Sequence, residues 1–344
     1  MNWFVGTYSK RNSKGIYLLD LDETNGELQI LKDFESISPL NPSFLEFDKN
    51  NNLYSVGESE APNPGVVVSY RFSKNQLEKL SQVFTNGNNP CHLSINNANN
   101  FLVAVNYSSG DFSTYKVLNG KLKFIEKISH NGSSINNLRQ NEPHAHSINF
   151  IDNNNFFVCD LGVDKIFKYT TDPNSLSIIQ QKSYKMTPGS GPRHFVINSR
   201  EQFAYSINEL DSTITVFQID SKKDLLPIQN ISTIPEHFTG ETTTADLHFS
   251  KNNKYLYGSN RGHDSLAKFS IDNQGRLTFE NFFSTLGKTP RNFSISKSGK
   301  FCLVANENSD NIISFHIDQN NGDLEPTGNK VNIPSPVCLL EIIE

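Results

Sequence analysis

Short apolar runs broken by Asn- and Gly-rich turns recur along this chain about every 45 to 55 residues. Within most runs the residues alternate with a period of two rather than three or four. Each unit opens with a short strand after a turn residue, at 41–45, 89–93, 143–147, 191–195, 244–247, 289–293 and 335–339. A polar turn follows, and then a second, more continuously apolar run such as Phe101-Leu102-Val103-Ala104-Val105 or Tyr255-Leu256-Tyr257-Gly258-Ser259. A third strand alternates aromatic or aliphatic with polar residues (Thr213-Ile214-Thr215-Val216-Phe217-Gln218-Ile219), and a fourth closes the unit (Leu277-Thr278-Phe279-Glu280). No segment sustains a helical period.

Seven such units predict an all-β, seven-bladed β-propeller of four-stranded antiparallel blades, one domain over residues 1–344. The seam is legible too. Trp3 to Tyr8 has the character of a second strand, and Val337 to Ile342 that of a first strand, so the C-terminal strand is expected to close the first blade. Such closure removes the edges an open sheet would expose.

Composition narrows the partners. A formal net charge of −5 without any Lys/Arg-rich run argues against nucleic acid or a membrane surface. No basic-plus-apolar leader precedes the first strand and no run of eighteen apolar residues occurs, so a cytoplasmic location is expected. Cys91, Cys159, Cys302 and Cys338 lie in different repeats without CxxC spacing and read as buried free thiols, with no disulfide, metal or other cofactor expected.

In a propeller the innermost strand lines the axial channel and the second strand runs antiparallel to it. The start of the first strand and the end of the second therefore meet at one face. Aligned on that geometry, the first-strand slot reads Cys91, His146, Arg193, Ala245 and Arg291. The slot just past the second strand reads Tyr8, Glu58, Tyr107, Gly162, Glu209, Arg261 and Glu307, preceded in most blades by Asn, which suits strand-end capping. His146, Arg193, Arg291, Glu58, Glu209, Arg261 and Glu307 are thus expected around one channel mouth. The long connections 129–142, with His130 and Arg139, and 235–244 feed the same face, as do His144, His92 and His194 beside the first-strand slot.

Arginines offer planar forks for phosphate or carboxylate, and a His with a Glu can move a proton to or from water. A small, oxygen-rich, anionic substrate and hydrolysis of an ester or lactone fit this set. A plainer reading stays open: inter-blade ion pairs that neutralise the channel, with His146 a turn histidine, His92 and His194 structural, and Glu58 and Glu307 merely lining it. No Gly-x-Ser-x-Gly elbow and no HExxH occurs, so water is the expected nucleophile.

The segments Pro143-His144-Ala145-His146-Ser147, Asp160-Leu161-Gly162-Val163-Asp164, Gly191-Pro192-Arg193-His194, Asn208-Glu209-Leu210, Ser259-Asn260-Arg261-Gly262-His263-Asp264-Ser265 and Pro290-Arg291-Asn292-Phe293 resemble the signature segments of the seven-bladed propeller lactonases. That family holds the bacterial propeller-type 6-phosphogluconolactonases and the fungal carboxy-muconate lactonizing enzyme, and the likeness spans nearly the whole chain. It implies metal-free hydrolysis of a sugar-acid lactone, 6-phospho-D-glucono-1,5-lactone above all, in the pentose phosphate pathway. The alternatives are a lactonizing cycloisomerase or a non-catalytic propeller that binds a small anion or a protein. By the resemblance the acting residues are His146, Arg193, Glu209 and Arg261; of the two histidines in the fourth blade, His146 shares the slot of Arg193 and is preferred to His144. The expected division of labour has Arg193, Arg291 and Arg139 holding the anionic end of the substrate and Arg261 facing the lactone carbonyl. His146, polarised by Glu209, would take the proton of the attacking water. Oligomeric state is left open.

Overall fold

A computed structural model describes residues 1–34 and 38–342. They form seven four-stranded antiparallel sheets around an axis, with only a three-residue 3-10 turn (Glu307–Ser309) as helix among the described residues. Six sheets are built from strands consecutive in the chain. In the seventh, the C-terminal strand Pro336–Glu341 pairs with Asn2–Thr7, so the two ends of the chain share one blade as its residue pattern predicts.

Why the second strands are apolar on both faces follows from where they lie. Phe101–Asn106 is buried along its whole length, because its blade is sandwiched between two neighbours, whereas outer strands such as Ile178–Lys185 are largely exposed. Among the described residues seven apolar clusters form, each bridging one pair of adjacent blades. Phe4, Leu18 and Leu45 with Tyr70 join the first blade to the second, and Trp3 with Leu303 and Ile312 joins the last to the first. Burial of this kind contributes roughly 25 cal/mol per Å² of apolar surface, so the ring is held by its inter-blade seams rather than by one central core.

The innermost strands carry the feature that makes a site. In Pro90–Ile95, Ala145–Phe150, Pro192–Ile197 and Pro290–Ile295 the register against the second strand slips by one residue near the start. The extra residues are Cys91, His146, Arg193 and Arg291. A β-bulge leaves the extra residue unpaired and re-aims its side chain. All four were gathered above from repeat alignment alone, and Thr243–Phe249 and Pro336–Glu341 slip near their starts as well. Proline in front of three of the four starts the strand opposite Asn106, Asn208 and Asn306, where its missing N–H costs no ladder bond.

The Asn at the end of the second strands ties strand ends together. Asn106 donates to Asp111, Asn208 to Thr213 and Thr215, Asn260 to the Thr233 carbonyl, and Asn306 to the Thr285 carbonyl. Their role is structural, in keeping with the capping expected of them. All four cysteines are buried free thiols, and burial raises Cys159 and Cys338 to about 12.

Candidate active site

At one end of the axis the bulges and the ends of the second strands enclose an open cavity of about 270 Å³. Its walls are Glu58, Cys91, Tyr107, Arg139, His146, Glu209, Thr243, Arg261 and Arg291. Residues from six blades therefore meet at one mouth, as the repeat geometry requires.

Glu209 is the hub. Its Oε1 accepts from Arg139 Nη2 at 2.6 Å, and its Oε2 accepts from Arg193 Nε at 2.9 Å and lies 2.9 Å from Arg261 Nη2. Burial alone would raise this carboxyl, but the charges of Arg261, Arg193, His146 and Arg139 outweigh it and hold the group well below the usual carboxylate range. It is an anion ringed by cations. A second pairing sits across the cavity, where the Arg291 guanidinium lies 5.2 Å from the centroid of the Tyr8 ring and 3.9 Å from Glu307 Oε2. The Tyr8 hydroxyl in turn donates to Glu58, whose carboxyl burial pushes upward against the pull of Arg291.

The 129–142 connection reaches the cavity through Arg139, which also donates to the Tyr107 hydroxyl at 3.1 Å and is 39% exposed. Gly162 makes room for that connection. A Cβ there would lie 2.0 Å from the Glu142 carbonyl, which explains why the fourth blade has glycine where other blades carry Glu, Tyr or Arg.

Several expectations are adjusted by these placements. Arg193 lies beneath the floor instead of on the open wall: its side chain is 3% exposed, and it donates to Glu209 and to the Ala245 carbonyl. It holds Glu209 rather than presenting a free fork to a ligand. Between His146 Nε2 and Glu209 Oε2 the separation is 4.0 Å, and Glu209 already accepts from arginines, so the direct hydrogen bond by which Glu209 would polarise His146 is not formed. Glu307 stands behind Arg291, off the cavity wall. His144 stacks on Tyr107 at 4.5 Å and donates Nδ1–H to its carbonyl, outside the cavity lining, while His146 is on the wall. His92 and His194 face the channel below: His92 stacks on Phe44 at 3.9 Å, and His194 bonds Asp246. His130 is buried between Asp160 and Tyr169, a structural histidine.

Sequence reading had also left Cys91, Tyr107 and Thr243 without a role, although all three line the cavity. The signal was present for Tyr107 and for Tyr8, which occupy the same repeat slot as Glu209. For Cys91 it was the slot of His146. Burial raises the Cys91 thiol far above the thiolate range, so it offers a neutral S–H and no nucleophile.

Burial, reinforced by Arg193 and His194, holds His146 well below the ordinary imidazole value, and burial with Arg193 brings His194 down to about 4. Both rings are neutral at pH 7. In the unfolded chain they protonate near 6.5. The folded pKa being the lower, each ring costs stability progressively as pH falls below about 6.5, for His194 down to about 4. Imidazole NMR titration of the native protein is expected to place the His194 midpoint near 4 and to leave His146 neutral at pH 6; a midpoint near 6.5 for either would contradict this burial effect.

Comparison with known proteins comes to the same family from outside. Residues 2–341 match the model of the seven-bladed β-propeller lactonases. The chain is 32% identical to the 6-phosphogluconolactonase of Bacillus subtilis over 98% of its own length and 97% of that protein. To the 6-phosphogluconolactonase of Formosa agariphila it is 36% identical, with 94% of each covered. The solved structure of the Pseudomonas aeruginosa periplasmic gluconolactonase superposes with a TM-score of 0.93 at 31% identity, covering 99% of both chains.

Proposed function

The chain belongs to the seven-bladed β-propeller lactonase family and is a lactone hydrolase, and from that premise we propose that its substrate is 6-phospho-D-glucono-1,5-lactone, opened to 6-phosphogluconate. The observation that carries this reading is the excess of guanidinium groups on the wall of a monosaccharide-sized cavity. Arg139, Arg261 and Arg291 face it together with two carboxyls, Glu209, which is ionised and already paired, and Glu58, which burial pushes toward its neutral form. The two relatives bearing the 6-phosphogluconolactonase name support the phosphorylated substrate. The cytoplasm and the pentose phosphate pathway follow as the setting.

The chemistry divides among the residues as follows. Arg139, the most exposed of the arginines, and Arg291 bind the phosphate, whose charge complements theirs. Arg261 donates to the Thr244 carbonyl through Nη2, which also forms an ion pair with Glu209, while its Nε–H is buried without a partner. That unpaired donor is suited to the oxyanion that forms when water attacks the carbonyl.

His146 Nε2 faces the gap of 4.0 Å before Glu209 and accepts the proton of the attacking water. The oxygen of that water bonds to C1, the bond from C1 to the ring oxygen breaks, and His146 returns the proton to the leaving oxygen. Arg193 repulsion helps keep His146 neutral, and an anionic substrate offsets that repulsion, so the base strengthens when substrate binds.

A second reading, an unphosphorylated sugar lactone, is favoured by the likeness to the periplasmic gluconolactonase. Steady-state assays on both lactones, with no-enzyme controls for spontaneous hydrolysis, separate the two. The phosphorylated substrate is expected to have the higher kcat/KM, and Arg139→Met is expected to raise its KM roughly 10- to 150-fold while leaving the unphosphorylated lactone unaffected, since one charge-assisted contact contributes about 1.5–3 kcal/mol. Equal loss on both substrates would count against a phosphate role for Arg139.

A further inference from the structure

Below the cavity the axial channel holds a carboxylate that the reaction described so far does not use. Asp246, buried on the innermost strand Thr243–Phe249, accepts four hydrogen bonds: from His194 Nδ1 at 2.7 Å, the Leu247 N–H at 3.0 Å, His248 Nε2 at 2.9 Å, and Asn292 Nδ2. Burial alone would raise it, but His248 and His194 outweigh that and hold it well below the usual carboxylate range. A carboxylate can only accept, so His194 must carry its proton on Nδ1. Its Nε2 is then an acceptor.

The rings of His194 and His146 stand 5.5 Å apart at 68°. Both border a small void of about 10 Å³, which they share with Arg193, Arg291 and Cys91 and which is about the size of one water. A water held there would accept from a His146 Nδ1–H and donate to His194 Nε2. Cys91 Sγ is 3.9 Å from Nδ1, with the His146 carbonyl at 3.4 Å and the Ala145 carbonyl at 3.8 Å as acceptors for its S–H, and Glu209 Oε2 lies 4.0 Å from Nε2. An imidazole with Nδ1 protonated presents a bare Nε2, the form a base requires.

We propose that Asp246 is a positioning residue for the hydrolysis: by accepting the Nδ1 proton of His194 it sets, through one bridging water, the tautomer that leaves His146 Nε2 open toward the substrate. This rests on His146 being the base, and its geometry is that of a carboxylate orienting a histidine, extended by one further imidazole along the propeller axis.

Nitrogen-15 NMR of the imidazoles in the full chain at pH 7, free of substrate, reads the tautomers directly. Both His194 and His146 are expected as Nδ1–H, and an Nε2–H form of His146 in the parent overturns the proposal. Asp246→Ala is expected to shift His146 toward Nε2–H and to lower kcat by about 10- to 100-fold with KM within about twofold.

Should that variant fail to fold, His194→Phe preserves the ring contacts with Phe44 and His92 while removing the acceptor, and the same two changes are expected. When both variants fold, combining them is expected to lose no more than the worse of the two, because they break one chain; multiplied losses overturn the proposal. His248→Gln, at the far end of the carboxylate, is expected to leave tautomer and turnover unchanged, and a loss equal to that of Asp246→Ala means a merely structural carboxylate. A parent that opens neither lactone defeats the substrate assignment instead, while the tautomer measurement still decides the role of Asp246.

Discussion

Replacing Glu209 with alanine is expected to abolish lactone hydrolysis and to lower the free energy of unfolding by about 3–5 kcal/mol. The size of the effect follows from what remains. With the carboxylate gone, Arg193, 3% exposed at the side chain, and Arg261, 14% exposed, face each other with no anion between them. Burial, reinforced by Arg261 and Arg291, already brings the Arg193 guanidinium down to about 10 with Glu209 in place. Glu209→Gln keeps the shape but turns one oxygen into a donor aimed at a guanidinium, so activity is again expected to be lost, with a smaller fall in stability. Denaturant titration beside a lactonase assay checks both variants. Wild-type turnover in Glu209→Ala would remove the cluster from the reaction.

Arg261→Ala is expected to act on turnover instead of on the fold. Losing a single oxyanion donor costs about 2.7–4 kcal/mol of transition-state stabilisation, roughly 10²- to 10³-fold in kcat. Stability should change little, because Glu209 keeps Arg139 and Arg193 as partners. Lysine at this position is not expected to rescue, since a point charge cannot pair with Glu209 while donating to the Thr244 carbonyl and an oxyanion from one plane. Equal loss of melting temperature and activity would favour an ion-pair role in which the arginine only neutralises the channel.

The two variants separate functions that the sequence had merged. Repeat alignment put Arg193, Arg261 and Arg291 in equivalent company, yet one lies under the floor and the others on the wall. Likewise His92 and His194, adjacent in the chain to Cys91 and Arg193, turn into the lower channel, because neighbouring residues on a strand point to opposite sides. His144 and His146 differ in the same manner as candidates, two residues apart but separated by the bulge at His146.

What the sequence alone determined is the ring: the blade period, the alternation that buries both faces of the second strands, the sharing of one blade by the two chain ends, and the gathering of slots such as those of His146, Glu209 and Arg291 at one mouth. These follow from local periodicity and from closure, which any chain with this pattern must satisfy. Only the tertiary structure decided the register slips that turn Cys91, His146, Arg193 and Arg291 toward the axis, the reach of Arg139 from a long connection, the ring of cations that keeps Glu209 ionised despite burial, and the burial that leaves His146 neutral. A bulge is a property of two paired strands, and a pKa is a property of everything packed around a group, so neither is written in a single stretch of residues.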